Sequence, residues 1–388
     1  MNPVRPSFSA AAFPPVEDRE KQLIGVNAKT GPYLRSGRGS RRIRGFQAQT
    51  NCFHVMSRTC GGAVFWDDVE KEALRRVIWR LAEFCGLRVL TYCVMGNHFH
   101  LLLEVPDQKR WLEEQFGGLS DAEGEAKLFR HLRVLYSKAF VEGLREEFEE
   151  LRKRGAEGLV RWRLELLKRR FCNLPVFMQE LKTRFTKWYN KRHKRKGTLW
   201  MDRFRSVLVE GKGNPLLAMA AYIDLNAVRA GMVVDPKDYR WCGYAEALGG
   251  NKECQRGICR VTGRNMGEKD WVKSGAREGY RQMLFSVGLE VKTAEGKAVA
   301  RRGVSGEKAE EVLAKKGRLS LGELVRTRVR HFTDGTVLGS KEFVNDYFSR
   351  NRQWFGPNRR DGARCLGRTA EDLYSLRDLR HGDVESLM

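Results

Sequence analysis

The first strong pattern along the chain is a pair of apolar runs separated by a two-residue turn. The run LRVLTYCVM is followed by Gly96 and Asn97 and then by HFHLLLEV. Two β-rich runs joined by Gly-Asn are typical of a β-hairpin. Because side chains alternate along a strand, His98 and His100 point to one face, while Phe99 points to the core. The pattern therefore predicts two imidazoles side by side on one face.

The pattern on either side of this hairpin predicts a strand, a helix and a helical insertion. Residues 47–58 (QAQTNCFHVMSR) resemble a strand, and residues 66–85 carry apolar side chains at helical spacing. Residues 107–170 are dense in Glu, Lys, Arg and Leu, which is typical of charged helices.

Beyond the insertion, the predicted order is helix, strand and helix. VFMQELKTRFTKWYNKRHKRKG predicts a helix, and TLWMDRFRSVLVE predicts a strand or an extended segment. Asn214 and Pro215 supply an N-cap and a first-turn proline for the helix LLAMAAYIDLNAVRA, which Gly231 ends. Near the C-terminus, SLGELVRTRVRHF and GSKEFVNDYFSRNR predict two helical segments around a turn.

Composition divides the 388 residues into three regions. Residues 1–45 are rich in Pro, Gly, Ser and Arg, so we expect a flexible basic arm or an uninvolved tail. Residues 46–250 form the central domain, which includes the insertion, and Gly249-Gly250 marks its end. Residues 251–388 form a C-terminal accessory region.

The charge of the chain indicates a polyanionic partner. The net charge is +24, from 72 Lys and Arg against 48 Asp and Glu, which exceeds what solubility requires. Nucleic acid is the first expectation, and an anionic membrane surface is the second. No apolar run is long enough to span a membrane, and the N-terminus lacks an apolar signal core, so we expect a cytoplasmic protein.

The two histidines of the hairpin have a spacing that suits metal binding. One nitrogen from each ring can reach a single divalent ion and leave room for carboxamide, phosphate and water ligands. For His-x-His taken alone, the more common alternative is a pair of partly exposed histidines on a hairpin.

Three motifs in order resemble one known family. VMGNHFHLLLEVP, GTLWMDRFRSVLVE and AYIDLNAVRAGMV together resemble the HUH single-tyrosine transposases of bacterial mobile elements, most closely the REP-associated tyrosine transposase branch. The resemblance covers about residues 46–247 and implies an α+β fold, a ferredoxin-like HUH domain. Its antiparallel sheet of four or five strands has the histidine hairpin near the middle and the tyrosine helix beside it. The helical insertion and a mostly helical C-terminal region are additions.

The resemblance also implies roles for particular residues. His98 and His100 would bind a divalent metal, Mg²⁺ or Mn²⁺, with Asn226 as a further ligand. Tyr222 would attack a single-stranded DNA phosphate, although a core tyrosine on an alanine-rich helix is the alternative. The spacing makes independent sense, because residues 222 and 226 share one face of a continuous helix. Ala227 departs from the family, which usually has proline there.

A basic segment downstream predicts a DNA-binding surface. KWYNKRHKRKG interleaves cations with aromatic side chains, which suits phosphate contact and base stacking. Tyr189 is a rival nucleophile, with His193 as a possible base, but we assign it to DNA binding. Trp200 suits a core position equally well, and the basic run suits a solvated face. The predicted DNA-binding residues are Lys187, Trp188, Tyr189, Lys191, Arg192, Lys194, Arg195, Lys196, Trp200, Arg203 and Arg205.

These expectations combine into one preferred function and two alternatives. The preferred function is a transposase, or a transposase-derived single-strand endonuclease and strand-transferase, that forms a 5′-phosphotyrosine link on single-stranded or hairpin DNA from palindromic repeats. The alternatives are a DNA-binding regulator without cleavage activity and an RNA-binding protein. A monomer and a homodimer remain equally open.

Overall fold

The computed structural model describes the central part of the chain and short C-terminal segments. The described residues are 45–62, 65–119, 122–233, 235–264, 271, 274–286, 336–355, 357, 359–365 and 373–376. The predicted arm up to residue 44 and the predicted helix SLGELVRTRVRHF lie outside them.

One sheet forms the centre of the fold, and its strand order differs from the chain order. The strands are β1 (Asn51–Arg58), β2 (Arg88–Val94), β3 (His98–Val105), β4 (Arg205–Val209), β5 (Val337–Gly339), β6 (Arg364–Cys365) and β7 (Tyr374–Leu376). Their order in the sheet is β2-β3-β1-β4-β5-β7-β6. All neighbouring pairs are antiparallel except β4 and β5, which are parallel.

Helices form most of the other regular structure. Those in the described residues are α1 (Asp68–Cys85), α2 (Gln108–Phe116), α3 (Ala122–Leu132), α4 (Lys138–Lys153), α5 (Glu157–Lys168), α6 (Leu174–Arg192), α7 (Gly213–Asp224), α8 (Asn226–Arg229), α9 (Gly243–Leu248), α10 (Lys252–Val261), α11 (Ala276–Ser286) and α12 (Lys341–Arg350). The structure confirms the predicted α+β class and the predicted hairpin, which is β2 and β3.

The sheet is wider than the predicted four or five strands. β5, β7 and β6 extend it to seven, so the C-terminal region contributes strands as well as helices. These strands have only two or three residues each, which is too short for a period of two to be recognised in the sequence.

Local sequence explains where the main helices begin and how closely they pack. The Asp67 side chain accepts hydrogen bonds from the first turn of α1, and Glu70 completes a capping box. Helix α10 lies directly on β2, because Gly257 has no side chain there. A Cβ atom at Gly257 would lie 2.1 Å from the backbone oxygen of Leu90. Glycine is therefore required at this crossing.

The chain divides into two compact units. One contains Leu112–Phe171, which is most of the predicted insertion of residues 107–170, and there buried Phe129 and Phe148 pack against each other with ring centroids 5.6 Å apart. The other contains the sheet, and the described residues after Gly250 belong to it as well. In the described part of the chain, no helix is long and apolar enough to cross a membrane.

Candidate active site

The pairing of β1 with β3 determines which side chains share a sheet face with the predicted histidines. His98 lies opposite Arg58, and His100 lies opposite Met56. Residues opposite each other in antiparallel strands point to the same side, and alternate residues of β1 therefore do so too. His54 thus joins the two histidines of β3 on one face.

Helix α7 brings Tyr222 to this face, where four rings meet. His54 Nε2 lies 2.8 Å from His100 Nδ1. The ring centroids of His98 and His100 are 5.1 Å apart, and the Tyr222 ring lies 5.7 Å from His100 and 5.8 Å from His54. The structure therefore brings together three predicted site residues and adds His54, which the sequence analysis missed.

Hydrogen bonds around His98 determine its tautomer. The Asn97 side-chain nitrogen donates to the backbone oxygen of Gly62 at 2.6 Å, so the Asn97 oxygen faces the ring. That oxygen lies 2.6 Å from His98 Nδ1, which must therefore carry the proton. In a neutral ring, Nε2 then has the free lone pair.

Both hairpin histidines are uncharged at neutral pH. Burial, with the Arg58 charge as a smaller cause, lowers the pKa of His98 from 6.5 to about 4. Burial also holds the pKa of His100 well below its ordinary value, and His54, His98 and Arg229 lower it further. Neutral imidazoles are the form that binds metal ions.

His98 and His100 are the side chains that could hold a divalent ion together with ligands from a substrate. His100, like His98, has its Nδ1 engaged, and a hydrogen bond from the second nitrogen is a common feature of metal-binding histidines. Among the described residues, no group of three His, Cys, Asp or Glu side chains is placed to hold an ion. The protein thus offers two imidazoles, and the remaining ligands would be amide, phosphate or water oxygens.

The predicted placement of Asn226 needs correction. Tyr222 and Asn226 were expected on one continuous helix, but α7 ends at Asp224 and α8 begins at Asn226. The Asn226 side-chain nitrogen donates to the backbone oxygens of Tyr222 and Ile223, at 3.2 Å each. These hydrogen bonds run to the end of α7, not to the histidines, and the side-chain oxygen is the atom left for a ligand role.

Arg229 covers Tyr222, and the sequence analysis missed this residue too. Its guanidinium lies 4.1 Å from the centroid of the Tyr222 ring, and Nη2 donates to the Tyr222 backbone oxygen at 2.5 Å. Tyr222 is only 2% exposed. The seven-residue separation on a predicted helix was the only available signal for this contact.

Asp224 fixes α7 in position from the opposite side. Its carboxylate, which is fully buried, accepts hydrogen bonds from Thr91 Oγ1 at 2.8 Å, from Tyr280 Oη at 2.6 Å and from the backbone nitrogen of Tyr244 at 3.2 Å. These partners belong to β2, α11 and α9. The tyrosine helix is therefore anchored to three other elements.

The predicted DNA-binding residues divide into an exposed group and a buried group. Tyr189 and Trp200 are 5% and 8% exposed, and Trp200 Nε1 donates to Thr186 Oγ1 at 2.8 Å. Because they are buried, neither presents a free ring face to a base, so base stacking on these two side chains does not fit the structure. Burial also raises the pKa of Tyr189.

The remaining members of the predicted set lie at or near the surface. Trp188 and Arg195 are half-buried, and Arg195 lies over the rings of Phe65 and Tyr189. Arg192 is exposed and contacts the buried Glu70 at 3.2 Å. The other exposed members are Lys187, Lys191, Lys194, Lys196, Arg203 and Arg205.

This basic segment meets the sheet at the histidine end. Trp200 forms a β-bridge with Thr59, just beyond β1, and the Met201 nitrogen donates to the Arg58 oxygen at 3.0 Å. Thr59 in turn donates from its backbone nitrogen to Asn97, directly before His98, at 2.9 Å. The segment at Trp200 and Met201 is therefore hydrogen-bonded to the end of the sheet where β3 begins, and exposed cations precede and follow it in the chain.

Comparison with known proteins gives one weak similarity. No protein-family model matches the chain, and no curated protein matches it. Among solved structures, the chain is similar to a REP-associated tyrosine transposase bound to a REP hairpin, with 10% identity and a TM-score of 0.30. The match covers 54% of this chain and 86% of that chain. Identity and TM-score at this level assign the chain to no family.

The buried Asp224 predicts a pH dependence of stability. Burial raises its pKa from 3.8 to about 6, so between these values the folded protein holds a proton that the unfolded chain has lost. Stability contributed by this group is thus present below pH 3.8 and decreases as the pH rises to 6. The expected decrease is about 2 to 3 kcal/mol.

Urea unfolding of the wild type and Asp224→Asn at pH 4, 5, 6 and 7 would measure this contribution. The wild type should lose stability relative to the variant as the pH rises. Asp346→Asn, which removes an exposed carboxylate, controls for the loss of one charge. A difference in unfolding free energy that stays constant over this range would contradict the assignment.

Proposed function

We propose that this protein cleaves and rejoins DNA strands through Tyr222, as a transposase or a transposase-derived enzyme. The observation that carries the proposal is the meeting of Tyr222 with two neutral histidines on one sheet face, with ring centroids 5.7 Å apart for Tyr222 and His100. A phenol, two imidazoles and a nearby guanidinium form a set that suits phosphoryl transfer.

The proposed reaction exchanges one phosphate ester for another. The Tyr222 oxygen forms a bond to phosphorus, and the bond between phosphorus and the 3′ oxygen breaks. The proton lost by the phenol is balanced by the proton gained at the new 3′ hydroxyl. The phosphotyrosine link retains the ester, so attack by another 3′ hydroxyl rejoins DNA without ATP.

The proposal includes a divalent ion, Mg²⁺ or Mn²⁺, held by His98 and His100, with the Asn226 side-chain oxygen as a third ligand. When bound there, such an ion would supply positive charge to the phosphate and to the leaving 3′ oxygen. The neutral state of both imidazoles and the hydrogen bonds on their Nδ1 atoms support this assignment. His54 orients His100 through its contact of 2.8 Å.

Single-stranded or hairpin DNA is the proposed substrate. Support comes from the net charge of +24 and from the exposed cations that precede and follow Trp200 and Met201, which are attached to the histidine end of the sheet. Phosphate contacts from such side chains supply affinity that does not depend on sequence. The half-buried Trp188 is the aromatic side chain left for stacking on bases.

One observation favours the second candidate, a DNA-binding regulator without cleavage activity. Tyr222 is 2% exposed, so a phosphate reaches its oxygen only if surrounding side chains move. A protein that only binds DNA would need no such movement. Detection of a covalent adduct therefore separates the two functions.

The first prediction of this function concerns the nucleophile. Tyr222→Phe removes one oxygen and little packing, so we expect it to eliminate both strand cleavage and the covalent adduct with a hairpin oligonucleotide. Tyr189→Phe is the matched control, and it should keep the adduct. Denaturing gels and mass spectrometry of the trapped peptide would measure both.

The position of a label gives the polarity of the link. An oligonucleotide labelled on the 3′ side of the cut should leave its label on the protein, because the tyrosine takes the 5′ phosphate. An adduct on Tyr189, or one that carries the fragment from the 5′ side, would show that the assignment is wrong.

The second prediction concerns affinity. Replacing exposed Lys187, Lys191 and Lys196 together by Ala should weaken binding to all hairpin sequences alike. The negative slope of log affinity against log salt should become shallower by roughly 0.7 to 0.9 for each phosphate that the variant no longer neutralises. A control triple variant with Ala at exposed Lys109, Lys252 and Lys341 should keep the slope. Equal slopes for all three proteins would show that the basic run is a solvated surface that does not contact DNA phosphates.

The third prediction concerns metal. Mn²⁺ titrations would use Tyr222→Phe bound to the hairpin oligonucleotide, so that phosphate ligands are present. Electron paramagnetic resonance would measure the concentration of free Mn²⁺. In this background His98→Ala should abolish binding, and His54→Ala should weaken it about 10- to 100-fold, because it removes an orienting contact. His193→Ala, a change outside the four-ring cluster, is the control. Retained Mn²⁺ affinity in His98→Ala would exclude this site.

A further inference from the structure

Arg229 carries a buried donor that is not used. Its Nη2 is bonded to the Tyr222 backbone oxygen, but Nη1 is buried and has no hydrogen-bond partner among the described residues. No carboxylate in the described part of the chain forms an ion pair with it, and burial lowers its pKa. The residue as a whole is half-buried, but this end of its side chain is enclosed.

Two other arginines of the same unit, Arg75 and Arg260, are paired with carboxylates. Arg75 contacts Glu72 at 2.8 Å and Glu246 at 2.7 Å, and Arg260 contacts Glu104 at 2.8 Å. A buried charge and an unmade hydrogen bond are both unfavourable. The protein therefore maintains an unfavourable arrangement beside Tyr222 that it avoids at these other positions.

The surroundings of Arg229 select an anion as the missing partner. Arg58 adds a second positive charge on the same sheet face, where it lies opposite His98 in the β1–β3 pair. A planar guanidinium matches the geometry of phosphate oxygens. Because it also lies on the Tyr222 ring, an anion bound at Nη1 would be held next to the phenol.

We propose that Arg229 is a catalytic residue that binds a non-bridging oxygen of the phosphodiester attacked by Tyr222. This inference rests on the proposed function, since it assigns the phosphate contact within the same site. Nη1 donates a hydrogen bond to the phosphate oxygen. The guanidinium, stacked on the Tyr222 ring, holds the phenol in position for attack on the phosphorus. No covalent bond is made or broken at Arg229, so the bonds exchanged are those between phosphorus, the Tyr222 oxygen and the 3′ oxygen.

A charge-neutral substrate separates this role from a purely structural one. In a methylphosphonate linkage, a methyl group replaces one charged non-bridging oxygen, so little charge remains for Arg229 to neutralise. Hairpin oligonucleotides would carry one methylphosphonate at each linkage in turn, including the linkage that is cut. The rate of adduct formation would be compared for the wild type, Arg229→Met, Arg229→Lys and the control Arg256→Met, an exposed arginine on α10.

The expected results differ between the two linkages. With the natural phosphate, Arg229→Met should form the adduct about 100-fold or more slowly than the wild type. With methylphosphonate at the cut site, its rate should be within about tenfold of the wild-type rate on the same substrate. Arg229→Lys, which keeps the charge, should fall between the two proteins. Arg256→Met should match the wild type on both substrates. An equal loss on both substrates, with unchanged thermal unfolding, would overturn the proposal.

Binding measurements keep this inference separate from the proposed function. If the wild type forms no adduct with any linkage, the strand-transfer function fails, and affinity then decides the role of Arg229. The wild type should bind the all-phosphate hairpin several-fold more tightly than the hairpin with methylphosphonate at one particular linkage. Arg229→Met should bind these two hairpins with equal affinity, and methylphosphonate at the other linkages should affect its affinity as it affects that of the wild type. If the affinities of both proteins depend in the same way on the position of the methylphosphonate, Arg229 makes no phosphate contact.

Discussion

The register between β1 and β3 is the constraint on which the rest of the site depends. A shift of one residue would turn His98 and His100 to the opposite face of the sheet, away from Tyr222. The same register buries Val55 and Phe99 on the other face, where both are fully buried. The apolar core and the polar cluster are therefore positioned by one set of backbone hydrogen bonds, and loss of packing on one face would displace the chemistry on the other.

Helix α7 connects this face to the later part of the chain. Tyr222 and Asp224 are two residues apart, and the first meets the histidines while the second is bonded to Thr91, Tyr280 and Tyr244. The elements that follow α8 thus support the position of the tyrosine. Folding of α9 and α11 and formation of the site are coupled through one carboxylate.

Local patterns predicted the hairpin and most of the helices, because these depend on neighbouring residues, whereas the α+β class was implied by the family resemblance. Non-local contacts could not be predicted in the same way. His54 meets His100 only because β1 lies between β3 and β4, and strand order leaves no local mark in the sequence. The assumed continuous helix from Tyr222 to Asn226 failed because α7 ends at Asp224, where no glycine or proline marks the end. Trp200 looked suitable for DNA contact, but core rings from other elements enclose it.

The parallel pairing of β5 with β4 has a consequence for the solution behaviour of the chain. Backbone nitrogens of Leu208 and Glu210 donate to Thr336 and Leu338 at 3.1 and 2.9 Å, and buried Glu210 accepts from the Ser340 nitrogen at 2.7 Å. These bonds occupy the side of β4 that would otherwise be an open apolar edge, and open edges pair with strands of other molecules. The C-terminal strands therefore block this edge of β4, and a chain that lacks residues 336–376 would leave it open to strands of other molecules.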